Sequence, residues 1–142
     1  MSEHDEQCKL FEWAAYRLGI YPELALMYAI PNGGQRNIVV AKKLKAEGVK
    51  AGVPDVCLPV PRGKYHGLYI ELKHGRNKAT AEQSYWLERL NVQGYRAVVV
   101  HEFEGARDAI IEYLTLQSCG HPRSAIRGDG LTHWCAECDE KA

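Results

Sequence analysis

Three stretches decide the fold: Gly67-Leu68-Tyr69-Ile70-Glu71-Leu72-Lys73, then Thr80-Ala81-Glu82-Gln83 after a basic loop, then Ala97-Val98-Val99-Val100. The chain from Tyr65 to Lys73 reads as a strand, with side chains on alternate faces. Leu68, Ile70 and Leu72 share one face, and Tyr69, Glu71 and Lys73 the other. A carboxylate and an ammonium group therefore project from one side of an otherwise apolar strand. Thr80 and Gln83 have the spacing of a capping box and start a helix, with Trp86, Leu87 and Leu90 on its apolar side and Gly94 ending it. Ala97 to Val100 is wholly apolar and predicts a buried, parallel central strand. Leu68 to Val100 is long enough for a right-handed strand–helix–strand crossover.

Upstream, Gly52-Val53-Pro54 leads into a short strand, Asp55 to Val60, and Pro61-Arg62-Gly63-Lys64 turns the chain. The two strands form a hairpin, which can bring Asp55 close to Glu71. Residues 36–47 read as a helix with Ile38, Ala41 and Leu44 apolar and Gly48 as its C′ residue. Residues 3–18 read as a first helix, with Phe11, Ala14 and Leu18 on one apolar face. Carried backwards, that face reaches Gln7 and Glu3, which either emerge into solvent or point into a polar site. Residues 104–116, with Ala109, Ile110, Tyr113 and Leu114, form a last helix. The expected architecture is α/β, a small mixed sheet with helices on both faces.

The length of 142 residues suits one compact domain and a small appendage. No apolar run is as long as a membrane span, and Met1-Ser2-Glu3-His4-Asp5 is too polar for a signal peptide, so a cytoplasmic protein with no membrane association is expected. Eighteen basic and eighteen acidic residues cancel, which weighs mildly against a nucleic-acid binder. The basic residues nevertheless gather mid-chain, from Lys42 through Lys50 and from Arg62 through Lys78, and a neutral total can hide a basic working face.

Asp55, Glu71 and Lys73 together suit phosphodiester hydrolysis, which requires an electrophile and an activated water. Mg²⁺ prefers a few carboxylate oxygens plus retained waters. Asp55 and Glu71 are candidates for those ligands, with the carbonyl of Leu72 as a third oxygen. Lys73 is placed to orient the attacking water or to stabilise charge on the phosphoryl oxygens.

These residues stand in a longer pattern: Glu3 with Gln7, Ala29-Ile30-Pro31-Asn32-Gly33-Gly34, Gly48 through Asp55, Gly67 through Lys73, Gln83, and Gly94-Tyr95 before the valine strand. In these blocks and their order the chain, roughly from Glu3 to Leu114, resembles the VRR-NUC branch of the PD-(D/E)xK nucleases. The resemblance implies a restriction-endonuclease-like core and a Mg²⁺- or Mn²⁺-dependent endodeoxyribonuclease. It implies Asp55 and Glu71 as metal-binding carboxylates, Lys73 as the catalytic lysine, and Gln83 as the glutamine following the active hairpin. Glu3 would complete the metal site from the first helix, with Glu6 and Glu12 as rivals. Small stand-alone domains of this branch, common in phage, are similar to homodimeric Holliday-junction resolvases. A phage- or prophage-encoded homodimer acting on branched DNA in the host cytoplasm is therefore expected. A flap or other branched-DNA repair nuclease, a catalytically inactive DNA-binding module, and a zinc-containing interaction protein are the alternatives.

Arg36 beside the Asn32-Gly33-Gly34 turn, and Arg76 and Lys78 beside the hairpin, are candidate contacts to DNA phosphates, although ordinary turn and loop chemistry accounts for them equally. The resemblance stops before the C-terminus. There Cys119-Gly120-His121 and Cys135-Ala136-Glu137-Cys138, separated by thirteen residues, have the pattern of a structural Zn²⁺ site. Thiolate and imidazole favour zinc over Mg²⁺. His133 is an alternative to His121. The expected division is a nuclease domain at 1–117 and a zinc-knuckle tail at 118–142.

Overall fold

In the computed structural model of the chain, the described residues are 1–31 and 37–116, together with the backbone of 126–127 and 134–135. Among them stand a four-stranded sheet and four α-helices. The strands are β1 (Tyr28–Ala29), β2 (Val56–Leu58), β3 (Leu68–Lys73) and β4 (Arg96–His101), hydrogen-bonded in chain order. β3 pairs antiparallel with β2 and parallel with β4, so the sheet is mixed, and the hairpin and the crossover read from the sequence are both present. Val56 lies opposite Ile70 and Leu58 opposite Leu68. One step beyond that register, Asp55 comes level with Glu71.

The helices are α1 (Glu3–Tyr16), α2 (Ile38–Ala46), α3 (Ala81–Val92) and α4 (Glu102–Thr115). The core lies where α1 and α4 cover one face of the sheet. Leu68, Ile70 and Leu72 pack there with Leu10, Ala14, Ile110 and Tyr113. Tyr113 also donates its hydroxyl to the Val60 carbonyl, fixing the end of α4 to the chain beyond β2. The opposite face carries Tyr69, Glu71 and Lys73, with Ala97 and Val99 in register beside Tyr69 and Glu71. There α3 packs against β4. The Thr80 capping box that starts α3 has both arms: Thr80 N–H donates to Gln83 Oε1 (2.8 Å), and Gln83 N–H donates to Thr80 Oγ1 (3.2 Å).

Several expectations need correction. The buried stripe of α1 is Glu6, Leu10 and Ala14, an i, i+4, i+8 row, and not Phe11, Ala14 and Leu18. The helix stops at Tyr16, Leu18 is 40% exposed, and Phe11 packs at the flank of the core. Glu3 remains near the inward face, because it lies one heptad before Leu10. No residue of α2 is buried, and Ile38, expected on its inner face, is 73% exposed. Asn37 caps it through Val39 N–H (2.9 Å), and Gly48, at φ +99°, follows the end as expected. The valine strand is not wholly buried. Nor is it central: β4 is an edge strand of the sheet, which leaves Val98 and Val99 partly exposed. The hairpin strands are shorter than expected, because Arg62 and Tyr65 pair across a tight turn and the chain joins the ladder only at Leu68.

Candidate active site

Strand alternation brings the first two groups together. Glu71 and Lys73 project from one face of β3, and Lys73 Nζ stands 3.4 Å from Glu71 Oε1. Both side chains are almost fully buried. The contact is an ion pair without hydrogen-bond geometry, and both Glu71 carboxylate oxygens, buried, lack a hydrogen-bond partner. Leaving such oxygens unsatisfied is costly, so a carboxylate like this one calls for a cation.

Asp55 joins them from the start of β2. Its carbonyl accepts Ile30 N–H (2.8 Å), and its Oδ2 accepts Leu72 N–H (2.8 Å). β2 begins only at Val56, so the Leu72 amide meets the Asp55 carboxylate where the backbone ladder has ended. Asp55 is thereby oriented from both sides, and the Leu72 peptide links it to Glu71. The approach to Asp55 is fixed by Gly52, at φ +87°, where a Cβ would lie 2.8 Å from the backbone carbon of Glu82 on α3. Only glycine permits that closeness in that conformation.

The electrostatics follow from burial. Burial pushes the Glu71 carboxyl up to about 7, and the charge of Asp55 adds to the push while Lys73 opposes it. Burial also raises Asp55; the Leu72 N–H bond opposes this and the charge of Glu3 adds to it. Glu3 is thus the α1 carboxylate whose field reaches Asp55. Its Oε1 accepts Asn77 Nδ2 (3.3 Å), which ties it to the loop after β3. Of its rivals, Glu12 is exposed and Glu6 is buried elsewhere, at the start of α4.

The other sequence candidates are placed less centrally. Gln83 uses its side-chain oxygen on the Thr80 cap. Arg76 and Lys78 are exposed on the loop joining β3 to α3. Arg36 and the Asn32-Gly33-Gly34 turn lie outside the described residues. So do Cys119, His121, His133 and Cys138 of the zinc expectation. Of Cys135 only the backbone is described, in a two-residue strand, Trp134–Cys135, pairing antiparallel with Ile126–Arg127.

One cluster escaped the sequence reading. Glu6, His74 and Glu102 each bring a ligand atom to within 4.8 Å of the others. They come from α1, from the residue just after β3, and from the first residue of α4. No linear spacing unites them, and the position of Glu6 on a buried stripe was the one available signal.

Two carboxylates and a lysine thus converge at one end of a mixed sheet. The chain matches the VRR-NUC domain family over residues 3–103. A solved structure of a VRR_NUC domain protein is similar with a TM-score of 0.72 and 31% sequence identity, covering 83% of this chain and 92% of that one. No curated protein matches. This chain belongs to the VRR-NUC domain family, and its function is of the nuclease type. Among the described residues, no helix is long and apolar enough to cross a membrane.

Proposed function

We propose that this domain is a divalent-metal-dependent endonuclease of branched DNA, with the four-way Holliday junction as its substrate. The observation that carries this reading is the buried Glu71 carboxylate, both oxygens without a hydrogen-bond partner, beside Asp55 and Lys73. Such a pair of carboxylates has the hard oxygen chemistry that Mg²⁺ or Mn²⁺ takes. Asp55, Glu71 and the Leu72 carbonyl would hold the ion, with Glu3 completing the set from α1. When bound, the ion supplies an electrophile for the phosphate oxygens and lowers the pKa of a water.

The chain's own groups do the rest. The Leu72 amide holds the Asp55 carboxylate in one orientation. Lys73, drawn to Glu71, presents an ammonium that orients the attacking water or stabilises charge building on the phosphoryl group. Gln83, at the start of α3, caps the helix with its side-chain oxygen, which leaves its amide nitrogen to act on the substrate. Arg76 and Lys78, exposed beside the site, and Arg36 would bind the DNA backbone.

The chain acts as a homodimer in the cytoplasm, as a phage- or prophage-encoded enzyme. Two sites related by a two-fold axis suit paired cuts across a four-way junction. Cys119, His121, Cys135 and Cys138, in the segment 118–142, bind structural Zn²⁺. The test is cleavage of a fluorescent four-way junction, set against flaps, nicks and duplex. The expected result is symmetric cutting with Mg²⁺, none with EDTA, and none by Asp55→Ala or Lys73→Ala. Cutting by both variants at the wild-type rate would refute the site. Preference for a flap would refute the junction.

A further inference from the structure

Glu6 is 2% exposed, yet it carries a carboxylate. One of its oxygens is accounted for: Oε2 accepts Phe103 N–H (2.6 Å), capping the first turn of α4 from another helix. Its Oε1 faces His74 Nδ1 from 4.0 Å, beyond hydrogen-bond reach of that nitrogen. Glu102 is placed in a similar way, but closer. Its Oε1 accepts Gly75 N–H (2.7 Å), and its Oε2 is hydrogen-bonded to the same His74 nitrogen at 2.8 Å. Each carboxylate is thus held by a backbone amide through one oxygen and turns the other toward a single imidazole nitrogen.

The charges do not balance. Two carboxylates meet one imidazole, so the cluster is doubly negative when His74 is neutral and singly negative when it is protonated. The N-terminus of α4 offers only about half a charge in compensation. A divalent ion would neutralise the group. Ligand distances of about 2.0–2.2 Å to nitrogen and oxygen place neighbouring ligand atoms about 3.3 Å apart around a tetrahedral ion, and the observed separations of 2.8 and 4.0 Å bracket that value. The amides on the outer oxygens are the supporting contacts that orient metal ligands.

We propose that Glu6 Oε1, His74 Nδ1 and Glu102 Oε2 form a second divalent-cation site, which takes a borderline transition ion such as Zn²⁺, Mn²⁺ or Co²⁺. The imidazole nitrogen sets the preference against Mg²⁺, which suits the all-oxygen set around Asp55 and Glu71. His74 and Glu102 are each about one-third exposed, so the remaining coordination positions face solvent and are filled by water. On binding, His74 Nδ1 carries no proton; one present beforehand is released to solvent, and the neutral ring keeps its hydrogen on Nε2. The ion would tie α1, the residue following Lys73 and the start of α4 at one point. This inference does not rest on the nuclease reading, because it uses different side chains and needs no DNA.

The test is a titration of the full-length, ¹⁵N-labelled chain with Zn²⁺, without DNA, followed by long-range imidazole NMR. Zn²⁺ taken up by the C-terminal cysteines or by Asp55 and Glu71 does not ligate His74 Nδ1, so a metal-bound nitrogen in that ring is specific to this site. The expected result is a shift of His74 Nδ1 to the position of a metal-bound nitrogen, with movement of the Gly75 and Phe103 amides. Glu6→Gln and Glu102→Gln should each weaken binding at least tenfold, and His74→Gln should remove the assigned signal. Glu102→Gln alters a partly exposed side chain and guards against misfolding of the Glu6 variant. A His74 ring unchanged at saturating Zn²⁺ overturns the proposal, as does wild-type affinity in both glutamine variants. An equal response to Mg²⁺ overturns the assignment to a borderline ion.

Discussion

Glu71→Gln should make the metal-free protein more stable, by an amount that depends on pH. The Glu71 carboxyl ordinarily titrates at 4.5 and in the folded chain at about 7. Below pH 4.5 both states are protonated and the burial costs nothing extra. Between 4.5 and 7 the unfolded chain ionises while the folded one resists, so stability falls as pH rises. Above 7 the whole penalty is in place. Each pH unit of that gap is worth about 1.36 kcal/mol, so the penalty approaches about 3 kcal/mol. The side chain is 1% exposed, which leaves little solvent screening to reduce it. The attraction of Lys73 is already contained in the value of about 7. Glutamine keeps the shape without the charge. Urea unfolding in EDTA should therefore place the variant's midpoint about 1–2 M above wild type at pH 8, with the two midpoints converging below pH 4.5. Mn²⁺ should stabilise the wild type and shrink the difference. A variant less stable than wild type at pH 8, or a difference that ignores pH, would refute the reasoning that burial disfavours the charged form of Glu71 despite Lys73.

Other substitutions test the framework around the site. Gly52→Ala forces a side chain into a left-handed backbone against Glu82 and should cost about 2 kcal/mol or more, read by thermal unfolding, with loss of cleavage as the Asp55 approach shifts. Tyr113→Phe leaves the buried Val60 carbonyl without its donor and should lower stability by about 1–2 kcal/mol in urea titrations, with junction cleavage unchanged. Thr80→Ala removes one arm of the capping box of α3; a loss of about 1 kcal/mol is expected, with faster hydrogen exchange confined to the first turn of that helix.

The environment of Glu71 also bears on how the site would work. A carboxyl titrating near neutrality in the absence of metal makes ion binding and protonation compete at the pH of a cell. Metal affinity should accordingly rise between pH 6 and pH 8. Asp55, raised in the same direction, adds to that dependence.

The sequence by itself determined whatever depends on short-range periodicity and local caps. Alternation along β3 put Glu71 and Lys73 on one face, and they meet there at 3.4 Å. Thr80 and Gln83 marked the start of α3, and Gly48 the end of α2, because caps are satisfied within a few residues. The order of the conspicuous blocks also carried the family. Tertiary structure decided the rest. The face of α1 turned on whether Leu10 or Phe11 docks against α4 and β3, and a helical period fits both rows. The exposure of α2 and the half-exposure of β4 depend on what covers an element, which its own pattern does not say. The Asp55–Leu72 bond spans 17 positions and the Glu6–Phe103 bond spans 97. Such contacts join groups whose approach is fixed by the packing of separate helices and strands. Asp55 could be placed near Glu71 from the hairpin alone, but only the folded chain turned Glu6 away from that site and toward His74 and Glu102.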